Sequence, residues 1–265
     1  MTATFSGQTA IVTGSTAGIG YAIAQALASQ GAHVVINGRT QERVDSALAR
    51  LRKELGAQAK LDGIAADVGS AQGTQAIVKA FPDIDILVNN AGIFAVQPFL
   101  ESRDEDWQHF YEVNVLSGVR LSRAYLPGML QRNRGRIVFI SSESGIQIPA
   151  EMIHYGMTKA AQIAIARGLA QLTAGTAVTV NSVLPGPTRS EGVATFVGEF
   201  AAKQGVTAAQ FEQQFFQTAR PTSLLQRFIE PREIADVVAF VASPAASAIN
   251  GAAVRAEGGV VLSAF

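Results

Sequence analysis

A chain of 265 residues, 48% of them hydrophobic, can bury one substantial core, and α/β folds commonly occupy this length as one domain, expected here over residues 1–265. Its 21 basic and 21 acidic residues cancel, so no overall field draws it to nucleic acid or anionic lipid. There are no cysteines, which excludes disulfides, thiolate metal sites and cysteine nucleophiles together; no metal site is expected, and the cytoplasm is the expected compartment.

The first eight residues carry no basic leader, and no apolar run approaches the roughly 18 residues of a membrane span, so a soluble chain without a membrane partner is expected. Short β-branched runs at 9–13, 33–37, 61–66, 84–89, 136–141, 178–184 and 252–256 alternate with helical patterns such as 20–29, 41–55, 104–126 and 155–173. That alternation predicts right-handed βαβ crossovers and a parallel sheet covered on both faces. Continuous apolar strands such as Ile86-Leu87-Val88 fit burial on both sides.

After the first strand comes Thr13-Gly14-Ser15-Thr16-Ala17-Gly18-Ile19-Gly20, opening the first helix. Glycines suit a tight turn and a close backbone approach to pyrophosphate, and a helix N-terminus favours the anion. In a chain with 25 glycines the spacing alone carries little weight; its position between strand and helix carries more. The second strand ends Asn37-Gly38-Arg39, with no carboxylate to accept ribose hydroxyls, and Arg39 suits a 2′-phosphate, assisted by Asn37 and Thr40. NADP is therefore expected over NAD, unless Arg39 is only a solvated turn residue. Asn89-Asn90-Ala91-Gly92 closes the fourth strand, where open parallel sheets bind ligands; by itself it also reads as a turn.

The fifth strand ends in Ser141-Ser142-Glu143, and thirteen residues past Ser142 stand Tyr155 and Lys159, four apart. On a helix the two share a face, so an ammonium would draw the phenol pKa down towards working pH, as a general acid/base requires. Glu143 either binds a polar or cationic substrate group or is a solvated loop carboxylate, and His154 reads as a capping or packing residue before a catalytic one. Beyond Pro185-Gly186, residues 187–228 show no strand pattern. Phe196/Phe200 and Phe211/Phe215 there, at helical spacing, either anchor an excursion to the core or line a mobile lid.

Taken together, in this order, residues 13–20, Asp67-Val68, residues 89–92, Asn114, Ser142, Tyr155, Lys159, Pro185-Gly186 and Gly258-Gly259 resemble the short-chain dehydrogenases/reductases. The likeness is to the non-extended subfamily, of the 3-oxoacyl-carrier-protein reductase type, and covers nearly the whole chain. It implies a Rossmann-type, doubly wound, seven-stranded parallel sheet with a helical lid over residues 187–228. The same resemblance implies that Tyr155 passes the proton between substrate oxygen and enzyme. Ser142 would bond that oxygen, Lys159 would hold the nicotinamide ribose and bias the tyrosine, and Asn114 would hold a relay water behind the lysine.

Cofactor contacts are implied at Gly14, Ser15, Thr16, Gly18, Ile19, Gly20, Arg39, Asp67, Val68, Asn89, Ala91, Gly92, Tyr155, Lys159, Pro185, Gly186, Thr188 and Ser190. Three positions depart from the pattern: Thr188 and Ser190 replace the usual aliphatic residue and Thr, and Ala17 stands where many NADP-preferring members carry Arg or Lys. The expectation is an NADP(H)-dependent carbonyl/alcohol oxidoreductase with a small-molecule substrate, assembled as a homotetramer or homodimer through its long central helices and the apolar tail from Val260 to Phe265. An NAD-dependent alcohol or polyol dehydrogenase is the alternative, and a non-catalytic dinucleotide-binding regulator would have lost Tyr155 or Lys159. Hydrolase and kinase readings fail for want of a Gly-x-Ser-x-Gly elbow or a Gly-Lys-Ser/Thr loop.

Overall fold

The computed structural model describes residues 4–264; residues 1–3, Phe265 and the side chains of Phe196, Glu199, Phe200 and Gln204 lie outside the described residues, and the Phe196/Phe200 pair with them. In chain order the elements are β1 (Thr9–Val12), α1 (Gly18–Ser29), β2 (His33–Gly38), α2 (Gln41–Leu55), β3 (Leu61–Ala65), α3 (Ala71–Ala80) and β4 (Ile86–Asn89). There follow α4 (Asp104–Tyr111), a π-helical turn (Glu112–Leu116), α5 (Ser117–Gln131), β5 (Arg136–Ile140), α6 (Ile153–Gln171) and β6 (Thr179–Pro185). The chain then runs through α7 (Glu191–Gln204), α8 (Ala208–Thr218) and α9 (Pro231–Ala242) to β7 (Ala253–Ala256).

Among the described residues seven strands form one sheet in the order β3-β2-β1-β4-β5-β6-β7, and every neighbouring pair is parallel. Successive strand residues point to opposite faces, and in β1 Ala10 and Val12 join one core cluster while Ile11 joins the other. The first cluster is closed by α1, α2 and α9, and the second by α3, α5 and α6. Two covered faces explain why β4 and β6 are buried at every position, and why β4 reads as the apolar run Ile86-Leu87-Val88. The chain winds outward through β2 to β3 and then returns to β4 beside β1, so a topological switch point lies between the carboxyl ends of β1 and β4.

The expected long helix over 104–126 is interrupted: α4 ends at Tyr111, and the π-helical turn separates it from α5. Such turns insert one residue into a helix and re-aim the backbone, often at functional sites. Here the turn carries Asn114. Residues 187–228 hold α7 and α8, and Val197, Ala201, Phe211, Phe216 and Phe228 make a small core of their own. No helix among the described residues is long and apolar enough to cross a membrane.

Candidate active site

The glycine loop joins β1 to α1 with Gly14 and Gly18 at φ 60° and 55°, in the left-handed region that disfavours a side chain. Space is as restrictive as conformation. A Cβ on Gly20 would stand 2.4 Å from both Asn90 Nδ2 and the Gly14 oxygen, and one on Gly14 would stand 3.0 Å from Ala91 Cα. Asn90 holds this contact by donating to the carbonyls of Thr13 (2.8 Å) and Gly14 (3.1 Å). Thr13 Oγ1 in turn accepts the amides of Asn90 and Ala91, each at 2.9 Å. Asn90 escaped the sequence reading as a distinct site residue; the repeated asparagine at a strand end was its only signal.

Ala17 supplies no side-chain cap to α1, so the amides of Gly18, Ile19 and Gly20 stand in the first turn without an intrahelical acceptor. An uncapped helix N-terminus beside a glycine cradle fits a pyrophosphate. Ser15 is different. Its hydroxyl donates to Val12 O (2.6 Å) and its amide to Asn37 O (2.9 Å), so it braces the loop from inside. Thr16 presents its carbonyl to Arg50 Nη2 at 2.7 Å.

At the end of β2, Arg39 is exposed and has no hydrogen-bond or ion-pair partner among the described residues. Asn37 does not assist it. Its amide is buried, accepting from Gly14 N (3.2 Å) and donating to Ile64 O (3.2 Å) and Ala66 O (3.1 Å), while Thr40 caps α2. Asp67 is exposed with one carboxylate oxygen on Gly69 N, and Val68 is packed into the core. Asn89 is also buried, donating to Ser122 Oγ at 3.1 Å and leaving Oδ1 without a partner.

Ser142, Tyr155 and Lys159 meet at the floor of one cavity of about 640 Å³, which Ile19, Asn90 and Gly92 of the loop side also line. Lys159 Nζ lies 5.5 Å from the centroid of the Tyr155 ring and donates to Ile140 O at 2.9 Å. Burial draws its ammonium down to about 8, against a smaller upward pull from Glu143. The phenol does not follow the sequence expectation. Burial first, and then the Glu143 carboxylate, push it above its ordinary value, while a hydrogen bond with Ser142 and the charge of Arg220 pull it down by less.

Glu143 is neither a free substrate ligand nor a solvated loop residue. It is buried, accepts the Ser142 hydroxyl and Ser144 Oγ (3.1 Å), and pairs with Arg220 Nε at 3.2 Å. Arg220 follows α8, so this pair ties the 187–228 segment to the serine; no sequence signal joined residues 77 apart. His154 is buried against Phe110, with ring centroids 4.2 Å apart, and is a packing residue.

Asn114, in the π-helical turn, is bonded both to the segment after β4 and to α6. Its side chain accepts from Ile93 N (2.8 Å) and donates to Ile93 O (2.9 Å) and Thr158 Oγ1 (3.0 Å), and its carbonyl accepts from Gln162 Nε2 at 2.6 Å.

Across the cavity, Pro185 ends β6 and Gly186 follows it, where an added Cβ would lie 2.4 Å from Glu257 O. Thr188 Oγ1 donates to Gly186 O (2.8 Å), and Ser190 caps α7 by accepting from Val193 N (3.3 Å). Ser190 also faces the glycine loop: a Cβ on Gly18 would stand 3.1 Å from its Cβ. Phe211, Phe215 and Phe228 form the apolar side of the cavity, so these residues both close the small lid core and line the cleft.

The short chain dehydrogenase family matches residues 8–198 of the chain. The chain is 48% identical to the uncharacterized oxidoreductase YvaG of Bacillus subtilis over 98% of each protein. It is 34% identical to the 3-oxoacyl-(acyl-carrier-protein) reductase FabG of Vibrio cholerae, over 97% of this chain and 98% of that one. Among solved structures, L-sorbose reductase from Gluconobacter frateurii, complexed with NADPH and L-sorbose, superposes with a TM-score of 0.93 at 31% identity, covering 99% of this chain and 100% of that one.

Proposed function

This chain belongs to the short chain dehydrogenase family and is an oxidoreductase of CH–OH and C=O groups, and from that premise we propose that it is an NADP(H)-dependent carbonyl reductase with Tyr155 as its acid/base. The observation that carries the reading is the gathering of Ser142, Tyr155 and Lys159 on one cavity floor beside the glycine loop. NADP(H), when bound, supplies the hydride; the chain supplies position and charge. Tyr155 gives its proton to the carbonyl oxygen, and the Ser142 hydroxyl, whose single hydrogen is on Glu143 in the free cleft, turns from that carboxylate to donate to the oxygen as negative charge grows. Two of the three Lys159 ammonium hydrogens are spent on Ile140 O and Gln162 Oε1, and the third serves a ribose hydroxyl.

Gly14, Gly18, Ile19 and Gly20 would hold the pyrophosphate, with Ser15 and Thr16 shaping the loop. Asp67 and Val68 would meet the adenine, residues 89–92 and Pro185, Gly186, Thr188 and Ser190 would flank the nicotinamide half, and residues 187–228 would act as the lid of a single catalytic domain. Support for NADP(H) comes from the unpartnered Arg39 and from the NADPH-bound relative. Oxidation with NAD is the second reading, favoured by Ala17, which puts no cation in the loop. A homotetramer, or a homodimer, packed through α5, α6 and the tail is the expected assembly, with Leu172 and Leu262 exposed there; a single-chain mass by light scattering overturns it.

NADPH consumption over a panel of ketones, ketoses and 3-oxoacyl thioesters tests the reading, and a panel without turnover rejects it. In the same assay Arg39→Ala is expected to weaken NADPH by roughly 10- to 100-fold, as loss of a charge-assisted contact implies, and NADH by less than about 3-fold. Equal losses for both cofactors remove Arg39 as the selector.

A further inference from the structure

Gln162 lies three residues past Lys159 on the same face of α6 and is only 1% exposed. Its amide bridges two groups: Nε2 donates to the Asn114 carbonyl at 2.6 Å, and Oε1 accepts from Lys159 Nζ at 3.2 Å. The π-helical turn makes this possible, because it brings Asn114 against α6 with its carbonyl directed at the helix. A water bonded to Asn114 and to the lysine would make the same two contacts.

We propose that Gln162 is a positioning residue that stands in for the relay water, anchoring Lys159 to the Asn114 backbone through its own side chain. The proposal rests on Tyr155 and Lys159 acting as the proton-handling pair. A side chain fixed by α6 holds the ammonium without the freedom of an exchangeable solvent molecule. An amide also does not hand on a proton at neutral pH, so the chain of exchangeable groups behind Tyr155 ends at Lys159.

The titratable groups facing Lys159 are Tyr155 on its own helix and Glu143 beyond β5, the latter paired with Arg220. On the β4 side Gly92 lies between Lys159 and the neutral Asn114: a Cβ there would stand 3.6 Å from Nζ and 3.3 Å from Asn114 Oδ1. A change in its titration on altering Gln162 therefore reports on the amide bridge.

The chain has five lysines, so a protein labelled with 13C at lysine Cε gives few signals, and Lys159→Arg identifies the one required. Gln162→Met fills the same space without either hydrogen bond and is expected to lower the Lys159 titration midpoint by about one unit, with a turnover loss of roughly 10-fold near pH 8. Gln162→Ala leaves room for a water and is expected to titrate close to wild type. The four other lysines serve as internal references for a retained fold.

An unchanged midpoint in Gln162→Met overturns the positioning role, and an equal fall in both variants overturns the equivalence to water. Single-turnover reduction in H2O/D2O mixtures is expected to give a more strongly bowed line for Gln162→Ala than for wild type, because a water lengthens the relay. Equal curvature in the two overturns the ending of the relay at Lys159. The NMR titration is read without turnover, so it stands apart from failure of the Tyr155 assignment.

Discussion

Tyr155→Phe is expected to lower turnover by roughly 10²- to 10⁴-fold, the range for removing a positioned general acid, with NADPH affinity kept within about 3-fold. The phenol is held above its ordinary value, by burial first and by Glu143 second, so at neutral pH it is the protonated, donating form that the cleft contains. That favours reduction, where Tyr155 gives up a proton, over oxidation, where it must first lose one. Lys159, drawn down to about 8 by its own burial, loses its charge as pH rises through that value. Reduction is therefore expected to be level below about 8 and to decline above it.

Glu143 raises both groups, so Glu143→Gln is expected to move the declining limb to lower pH and to weaken the tie between Arg220 and position 143. Initial rates across pH for wild type and both variants, with fluorescence titration of NADPH, measure these effects. Turnover in Tyr155→Phe above about a third of wild type removes Tyr155 from the chemistry.

Gly20→Ala is expected to cost NADPH affinity at least roughly 10-fold and to lower Tm by about 2–10 °C, the scale of a 1–3 kcal/mol overpacking penalty in a domain of this size. The added Cβ would meet Gly14 O and Asn90 Nδ2 at 2.4 Å, far inside contact distance. Neither neighbour can yield cheaply: one is backbone, and the other is tied to the Thr13 and Gly14 carbonyls. The loop must then move away from the α1 N-terminus that it presents. Gly168→Ala is the matched control, since its Cβ meets nothing within 4 Å. On α6 that substitution is expected to leave affinity unchanged and to stabilise by about 0.5–1 kcal/mol. Unaltered NADPH affinity in Gly20→Ala rejects the cradle.

The strands and most helices were legible because their signals are local. Runs such as Ile86-Leu87-Val88 announce two-sided burial, and the boundaries found differ from those expected by one or two residues at most strands. The helix α9 was readable in principle, since Pro231 at its first turn and the Glu230/Glu233 capping box mark its start. The break at Glu112–Leu116 was not, because a π-helical turn leaves the apolar period nearly intact and is held by contacts to another helix.

By itself the sequence determined the order of strands and helices, the glycine loop and the spacing of Ser142, Tyr155 and Lys159, since all of these follow from side-chain period and turn chemistry along the chain. Only the tertiary structure decided what surrounds them. Asn37 became a buried brace, Glu143 a partner of Arg220, and Gln162 a partner of the Asn114 carbonyl. The reason is the same in each case: a buried polar group must find a partner, and that partner is chosen by which elements pack together, not by distance along the chain.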